Sequence, residues 1–435
     1  MNALSEVNRR TRPGAAPDKP KPTVRISPAR AAAFEILGLV GQGKGHSDEL
    51  LHGRHLKGLS AADRNLATTL VLGVLRWQIA LDARVRPFFQ RPDVKLTAPV
   101  EIALRMGAFQ LLHLDRIPAH AALSESVELV RAGAPFAVGM VNAVLRKLST
   151  APKPGVKLHE STAAFAERLG HPLWLVERWV AAYGRAAAIA ICEADQNEPG
   201  CGALFADEED MPVMDDGSRL VAELAAASRP DARRVWDCCA APGGKTLVMA
   251  RRLAGSELLA TDASPRRLKV LAERLATAGA EVRTVDADAI ALPAELGAFD
   301  LILCDVPCSG TGTLARNPEI RHRVSTEEIK RQTARQREIL AAAFLRLAPG
   351  GRLVYSTCSL EREENEQVVA SVLAGLPKSV SVEGVAVPVL LERLREQGRL
   401  REGVDLLPLV SGSVLRTLPG SFDGDGFFAA VFERR

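Results

Sequence analysis

The sequence predicts an all-α domain followed by an α/β domain built on a doubly wound, mostly parallel sheet. Apolar residues recur at helical spacing between residues 27 and 150, and five short apolar runs later alternate with helical stretches or loops. Continuous apolar strands of this kind are typical of parallel sheets that carry helices on both faces. With 435 residues, 47% of them hydrophobic, the chain is long enough for two or three cores.

Helical spacing predicts five helices in the first domain, residues 26–150. Ser60 lies just before the second helix and Pro99 begins the third, and both residue types are common at helix N-termini. The five segments are PARAAAFEILGLV (28–40), AADRNLATTLVLGVLRWQIALDARV (61–85), PVEIALRMGAFQLLHL (99–114), HAALSESVELV (120–130) and PFAVGMVNAVLRKL (135–148). Residues 1–25, rich in Pro and Arg and without periodicity, are predicted to be a disordered basic tail.

Charge is unevenly distributed along the chain. Residues 1–150 contain 21 Lys and Arg against 12 Asp and Glu, whereas the remaining residues contain 35 against 40. The overall charge of +4 therefore conceals a basic first part, which favours a phosphate-rich partner for that part. Arg64, Arg76 and Arg146 are candidates for phosphate contacts, although each is interpreted equally well as a solvated charge on a helix.

The cysteines indicate a reducing compartment. There are seven, an odd number, and no CxxC pair occurs among them, so the sequence predicts neither a disulfide framework nor a zinc or other metal site. No apolar run approaches membrane-spanning length and the amino terminus lacks a signal-peptide core, which predicts a soluble cytoplasmic protein. Cysteines in such a protein are either small core residues or chemistry, and Cys192 and Cys201 are interpreted as structural or incidental.

The second domain is predicted to begin after a linker, STAPKPGVK (149–157). We divide the rest of the chain into a linker and shortened connecting subdomain, residues 151–222, and an α/β domain, residues 223–435. The predicted strands are RRVWDCC (233–239), SELLATD (256–262), EVRTVDAD (281–288), FDLILCD (299–305) and GRLVYST (351–357). Ligands of such sheets bind beyond the carboxyl ends of the strands, which directs attention to the residues found there.

The segment VWDCCAAPGGKT (235–246) runs from a strand through a glycine-containing turn into a helix. A phosphate-binding P-loop would need a glycine where Cys239 stands, so a nucleotide triphosphatase fits poorly. A loop for S-adenosylmethionine fits better, because Gly243 and Gly244 allow the backbone to approach the ligand and the helix N-terminus faces its carboxylate.

Two further acids fit an S-adenosylmethionine site. Asp262 ends the second predicted strand, where a carboxylate accepts hydrogen bonds from ribose hydroxyls, and Asp288 follows the third, where it can meet the adenine amino group. Asp286 is the alternative to Asp288. A turn followed by acids at successive strand ends supports the cofactor, since a strand that only fills a core does not require aspartate there.

Two cysteines follow two predicted buried strands: Cys308 in LCDVPCSGTG (303–312) and Cys358 in VYSTCS (354–359). Carbon 5 of cytosine is a poor nucleophile, but a cysteine thiolate that adds to carbon 6 makes carbon 5 enamine-like and able to accept a methyl group. Asp305, at the end of the first strand, can handle the charge beside the ring nitrogen and amino group. Cys304 lies inside that strand and is interpreted as a core residue.

These motifs resemble those of a known family, the ribosomal RNA cytosine-5 methyltransferases of the Sun/Fmu type. The likeness is carried by DCCAAPGGKT (237–246), CDVPCSGTG (304–312), YSTCSLEREENE (355–366) and the closing DGDGFFAAVFERR (423–435). The helical part is similar to the NusB-like RNA-binding domain that precedes the catalytic domain in bacterial 16S enzymes, through RIPAHAALSESVEL (116–129) and VNAVLRKL (141–148). The resemblance implies a Rossmann-like class I methyltransferase domain behind a NusB-like domain.

The resemblance also implies roles for individual residues. Cys358 is expected to attack carbon 6, Cys308 to assist release of the methylated product, and Asp305 to contact the target base near the transferring methyl group. Spacing alone does not say which cysteine attacks. The expected contacts of S-adenosylmethionine are Ala240, Ala241, Pro242, Gly243, Gly244, Lys245, Thr246, Asp262, Asp288 and Asp305. The expected partner is 16S rRNA, bound by a monomer that does not associate with membranes.

The chain departs from the family pattern between the HPLWLVERWVAAYG segment (171–184) and the DDGSRLVAEL segment (215–224). Family members usually carry a longer connection that forms a small RRM-like unit, for which residues 197–213 are too few. Three alternatives therefore remain open: a tRNA substrate, a catalytically inactive NusB-like assembly factor, and a methyltransferase for small molecules or proteins. The last leaves both cysteines and the basic helical domain unexplained.

Overall fold

The architecture was analysed in a computed structural model that describes residues 26–91, 94–152, 160–198, 200, 202–206, 208 and 210–435. The predicted basic tail (1–25) and Cys201 lie outside the described residues, as does most of the predicted linker. The expected order of an all-α domain followed by a doubly wound α/β domain is confirmed.

Six helices form the described part of the first domain. They are α1 (Pro28–Gly41), α2 (Ser47–Leu51), α3 (Ala61–Val85), α4 (Ala98–His113), α5 (Ala119–Gly133) and α6 (Val138–Thr150). The five predicted helices are present, and Ser60 caps α3 by accepting a 3.1 Å hydrogen bond from the backbone N–H of Asp63. The short α2 was not predicted, because five residues are too few to show a period.

The apolar faces of these helices enclose one core, which includes Ile36, Leu70, Leu104 and Leu145. The segment Ala61–Phe88, containing α3, is long and apolar enough to pass a membrane-span test on length and composition alone. The expectation that no run has such a length was therefore wrong. Of its most apolar 18-residue window, 44% is buried inside the protein, and α3 packs against α1 and α4, as a core helix does.

Three helices connect the two domains: α7 (Thr162–Arg168), α8 (Leu173–Tyr183) and α9 (Arg185–Ala194). Their buried faces form a separate small core around Phe165 and Trp179. Between α9 and the next helix, the described residues form no strand; Phe205 makes an isolated bridge with Leu400. Residues 151–222 as a linker and connecting subdomain, like the other domain boundaries, stay a prediction.

The second domain contains a nine-stranded sheet in the order β3-β2-β1-β4-β5-β9-β8-β7, with β6 also paired to β9. The strands are β1 (Arg234–Asp237), β2 (Glu257–Asp262), β3 (Arg283–Asp286), β4 (Phe299–Asp305), β5 (Leu347–Thr357), β6 (Val382–Gly384), β7 (Val410–Ser411), β8 (Val414–Arg416) and β9 (Phe428–Arg434). The helices are α10 (Asp216–Ser228), α11 (Gly244–Arg252), α12 (Pro265–Thr277), α13 (Ile320–Arg323), α14 (Thr326–Arg346), α15 (Glu366–Gly375) and α16 (Val387–Glu396).

The strand order reverses between β1 and β4. From β1 the chain builds outward through β2 and β3, and it then returns to place β4 and β5 on the other side. All pairs among these five strands are parallel, whereas β9 runs antiparallel to β5. Open α/β sheets bind ligands where the strand order reverses, so the carboxyl ends of β1 and β4 define the expected site.

The segment 383–412 differs from the expectation of an exposed helix of alternating charges. Within it, α16 buries Val387, Leu390, Leu391 and Leu394 and packs against α10. Only one face of α16 carries the charges, which disguise its buried stripe in the sequence.

A loop of the second domain fastens it to the helical domain. The Glu319 carboxylate accepts hydrogen bonds from the backbone N–H and hydroxyl of Ser47, at 3.0 and 2.8 Å. The guanidinium of Arg76 donates to the carbonyl oxygen of Ala315, and the fully buried Arg321 donates to that of Arg76. Arg76 therefore joins the two domains and is not a free phosphate contact, which corrects that candidate; Arg64 and Arg146 are exposed.

Candidate active site

The turn after β1 brings its backbone close to a helix N-terminus. Gly243 adopts φ +100°, and a Cβ there would lie 2.5 Å from the Leu271 side chain, so only glycine fits. Next to it Gly244 begins α11. The first backbone N–H groups of α11 thus face the open end of the sheet, where they can bind a carboxylate.

This turn forms one wall of a cavity of about 180 Å³. The residues around the cavity are Val213, Met214, Ser218, Asp237, Cys239, Ala240, Ala241, Pro242, Gly243, Gly244, Lys245, Arg274 and Asp305. Of the predicted cofactor residues in the loop, all but Thr246 line it. The Thr246 side chain is buried and donates a 2.7 Å hydrogen bond to Asp237, so it supports the wall from behind.

The two outer acids differ in their surroundings. Asp262, at the end of β2, is buried; its Oδ1 accepts the backbone N–H of Ser264, but its Oδ2 has no hydrogen-bond partner and only an ion contact with Arg267 at 3.4 Å. Asp288 is half-buried and already engaged, by the backbone N–H of Ile290 and by Arg335 at 3.5 Å. Neither is among the residues lining the cavity. The free oxygen of Asp262 is the one that suits an incoming hydroxyl.

The ends of β4 and β5 bring the two predicted cysteines together. The sulfur atoms of Cys308 and Cys358 lie 3.3 Å apart, and both side chains are half-buried. Close approach of the two loops depends on Gly312, since a Cβ there would lie 2.2 Å from the carbonyl oxygen of Gly426 and 3.0 Å from that of Cys358. The backbone N–H of Gly312 also donates to Cys358, at 2.9 Å.

Asp305 links the cysteines to the cavity. Its Oδ2 lies 2.7 Å from the ammonium of Lys245, and its Oδ1 accepts a 2.8 Å hydrogen bond from the Ser356 hydroxyl. Burial opposes the charged form of Lys245, but the Asp305 carboxylate outweighs it and holds the pKa of Lys245 above its ordinary value. The predicted cofactor residue Lys245 is therefore directed at the catalytic aspartate candidate.

The remaining cysteines are placed differently. Contact with the Cys358 thiol and burial raise the pKa of Cys308 well above its ordinary value, so Cys308 favours the protonated form. Cys304 is fully buried and packs against Cys238, 3.3 Å away, as expected of a core residue. Cys192 is buried among the connecting helices.

Sequence reasoning did not single out Asp237, which ends β1 at the floor of the cavity. Burial raises the pKa of Asp237 to about 7. Its position at a strand end gave the same signal as Asp262 and Asp305 and could have found it. Val213, Met214, Ser218 and Arg274 were also missed, because their place in the wall depends on how α10 and α12 pack and on no local motif.

Comparisons with known proteins agree with this geometry. Residues 225–433 match the family model described as 16S rRNA methyltransferase RsmB/F, and residues 27–150 match the NusB family. A ribosomal RNA small subunit methyltransferase B of Xanthomonas campestris is 32% identical over 79% of this chain and 87% of its own length. The chain belongs to the RsmB/F family of rRNA methyltransferases.

Other RsmB/F relatives cover the whole architecture. A probable ribosomal RNA small subunit methyltransferase B of Bacillus subtilis is 29% identical over 93% of this chain and 98% of its own length. Among solved structures, the crystal structure of PH0851 has a TM-score of 0.69 at 21% identity, covering 94% of this chain and 100% of that one, which shows the shared fold.

S-adenosylmethionine is the cofactor of the RsmB/F family, and the residues present fit it. The Gly243 turn and the α11 N-terminus would hold its carboxylate end, while the unpartnered Oδ2 of Asp262 would accept its ribose hydroxyls. Asp288 could reach an adenine only if its contacts with Ile290 and Arg335 gave way, so its predicted role stays a prediction.

The segment beside the site contains a buried acid pair that should make stability depend on pH. Burial and the Asp215 carboxylate raise the pKa of Asp425 to about 8, although Arg316 donates to Asp425 at 3.0 Å. Because the folded state holds this proton more tightly than the unfolded chain, its contribution to stability is lost as the pH rises through about 8.

We expect the free energy of unfolding to fall between pH 6 and pH 9, and the substitution Asp425→Asn to flatten that fall. Asparagine keeps an acceptor for Arg316 but has no proton to lose. Urea unfolding at several pH values measures the slope, with the exposed Asp423→Asn as control. Equal slopes for Asp425→Asn and the unsubstituted protein would contradict the assignment.

Proposed function

We propose that the protein methylates carbon 5 of a cytosine in 16S rRNA through a covalent cysteine–cytosine adduct. The observation that carries the proposal is the 3.3 Å approach of Cys308 and Cys358 beside the Lys245–Asp305 pair on the cavity wall. This arrangement puts a nucleophile, a second thiol and a carboxylate within reach of one pyrimidine ring.

In this mechanism the Cys358 sulfur forms a bond to carbon 6 and pushes electron density toward the ring nitrogen and carbon 5. Asp305, held by Lys245 and Ser356, contacts the ring nitrogen and amino group. S-adenosylmethionine supplies the methyl group to carbon 5. Carbon 5 then loses its proton, the bond between carbon 6 and sulfur breaks, and its electron pair returns to Cys358. Cys308, whose thiol is predominantly protonated, lies beside the departing sulfur and assists this release.

The target base has to leave its stack to reach the two sulfurs, so unpaired RNA is the expected substrate. We further propose that the protein acts in the cytoplasm, as a monomer and away from membranes. A tRNA cytosine is the alternative substrate.

The direct experiment incubates the purified protein with S-adenosylmethionine labelled in its methyl group and with 16S rRNA that lacks the modification. After digestion to nucleosides, the label is expected in 5-methylcytidine. Label in another nucleoside would refute the carbon-5 assignment, and transfer to tRNA but not to 16S rRNA would refute the substrate.

One face of the helical domain offers support for RNA binding. A cavity of about 400 Å³ lies between α6 and the chain after α3, with Phe88 and Phe89 in its wall. Arg91 and Lys147 also line it, both are exposed, and neither forms an ion pair with a described carboxylate. Aromatic rings beside unpaired cations suit a single-stranded nucleic acid, which stacks its bases and presents phosphates.

We expect the double substitution of Arg91 and Lys147 by alanine to weaken rRNA binding and its dependence on salt. Each lost phosphate contact should reduce the slope of log K against log salt by about 0.7. Titration at several salt concentrations measures it. The control is Arg131→Ala, which removes an exposed cation already paired with Glu128 at 3.0 Å. An unchanged slope in the double variant would exclude this face.

A further inference from the structure

A serine follows each of the two cysteines, in Cys308-Ser309 and Cys358-Ser359, and the mechanism above uses neither serine. Both serines are buried, and their hydroxyl oxygens lie 3.0 Å apart. The two cysteine loops are therefore joined twice, once through the sulfurs and once through the serines beneath them.

Both serines meet at one buried carboxylate, that of Glu364. Its Oε1 accepts the backbone N–H of Ser309 at 2.8 Å and the amide of Gln336 at 3.0 Å, while its Oε2 accepts both serine hydroxyls. Glu364 has no exposed surface, and no Lys or Arg in the described part of the chain forms an ion pair with it. Such a charge is tolerated in the interior only because several donors point at it.

The backbone of Glu364 is fixed as well. Its carbonyl oxygen accepts a 2.6 Å hydrogen bond from the buried hydroxyl of Tyr355, which lies on β5. The Gln336 amide, which comes from α14, donates also to the carbonyl oxygen of Pro307, just before Cys308. The carboxylate thus rests on β5 and α14, and it binds one cysteine loop through Ser309 and the other through Ser359.

We propose that Glu364 is a positioning residue that fixes the two Cys-Ser dipeptides against each other and thereby sets the separation of the reacting thiols. The inference rests on the proposed function, in which Cys358 attacks and Cys308 assists release. Release needs both sulfurs at one ring at the same moment, whereas attack needs only Cys358. Loosening the clamp should therefore slow release more than attack, so that adduct accumulates relative to product.

A conservative variant separates positioning from simple burial. In Glu364→Gln the amide oxygen can still accept from Ser309 and Gln336, and the amide nitrogen can donate to the serine hydroxyls, which also act as acceptors. Glu364→Ala removes all four contacts. Glu361 is the matched control: it is a buried carboxylate three residues earlier, held by Trp179 at 3.1 Å and by Arg178, donors that lie outside the cysteine loops.

The experiment measures kcat, the KM for the cofactor, and the fraction of RNA held in a denaturant-resistant adduct, using the full-length protein and 16S rRNA. For Glu364→Ala we expect kcat to fall about 100-fold, the cost typical of a misplacement of about 1 Å, with an unchanged KM and a raised adduct fraction. Glu364→Gln should recover most of kcat, and Glu361→Gln should behave as the unsubstituted protein.

Should Glu364→Ala not fold, the Ser309→Ala, Ser359→Ala double variant carries the same test, because it keeps the carboxylate but removes both hydroxyls. It should likewise raise the adduct fraction. Wild-type kcat and adduct fraction in the folded variants would overturn the inference, as would an equal loss in Glu361→Gln. If the unsubstituted protein forms no adduct with 5-fluorocytosine RNA, the proposed function itself fails.

Discussion

Replacing Cys358 by alanine is expected to reduce methyl transfer to 16S rRNA by roughly 10⁴-fold or more, the scale seen when a covalent nucleophile is removed. Without its sulfur nothing adds to carbon 6, and carbon 5 remains too poor a nucleophile to accept the methyl group. The neighbouring Cys308 cannot take over, because its thiol favours the protonated form. Transfer of labelled methyl groups under single-turnover conditions measures the loss.

The matched control for this prediction is Cys304→Ala. Cys304 lies in β4 of the same sheet and is fully buried against Cys238, so its removal tests cysteine loss without touching the site. Activity within a few-fold of normal is expected for the control. A Cys358→Ala variant that binds RNA and retains a tenth of the normal transfer would contradict the assignment of the nucleophile.

Replacing Cys308 by alanine should have the opposite signature: the first methyl transfer occurs, but the product stays attached. Cys308 lies 3.3 Å from the sulfur that has to leave, and its loss removes the thiol that assists departure. A protein–RNA complex that survives denaturant is expected to accumulate, with multiple turnover falling by roughly 10²-fold, the usual scale of general acid–base assistance.

Gel electrophoresis in denaturant with labelled RNA detects this complex. The double variant Cys308→Ala, Cys358→Ala should form none, which identifies Cys358 as the attached residue. Normal turnover by Cys308→Ala without any retained complex would remove Cys308 from the mechanism.

The fold could be predicted largely from local patterns, because strands buried on both faces and amphipathic helices each leave a periodic signal. The helix Ala61–Val85 was predicted to the residue, since a capping serine and a long apolar face mark it. The helix α16 was misjudged, because alternating charges on its exposed face hide the stripe that packs on α10.

The site was predictable where the chemistry lies in short motifs at strand ends. Cys308, Cys358 and Asp305 were named from such motifs, and the structure brings them to one place, although their roles remain proposals. Arg76 was not predictable: its sequence surroundings look like a solvated helix, and only the packing of the two domains turns it toward Ala315. Glu364 likewise became visible only when both loops were seen to meet at its carboxylate.

The most direct test of the covalent mechanism traps the adduct and identifies the attached residue. In 16S rRNA carrying 5-fluorocytosine, carbon 5 has no proton to lose after methylation, so the bond between carbon 6 and sulfur cannot break. Trypsin then places Cys358 in the peptide 353–362 and Cys308 in the peptide 284–316. Mass spectrometry is expected to find the methylated nucleotide on peptide 353–362; its attachment to peptide 284–316, or no attachment, would contradict the mechanism.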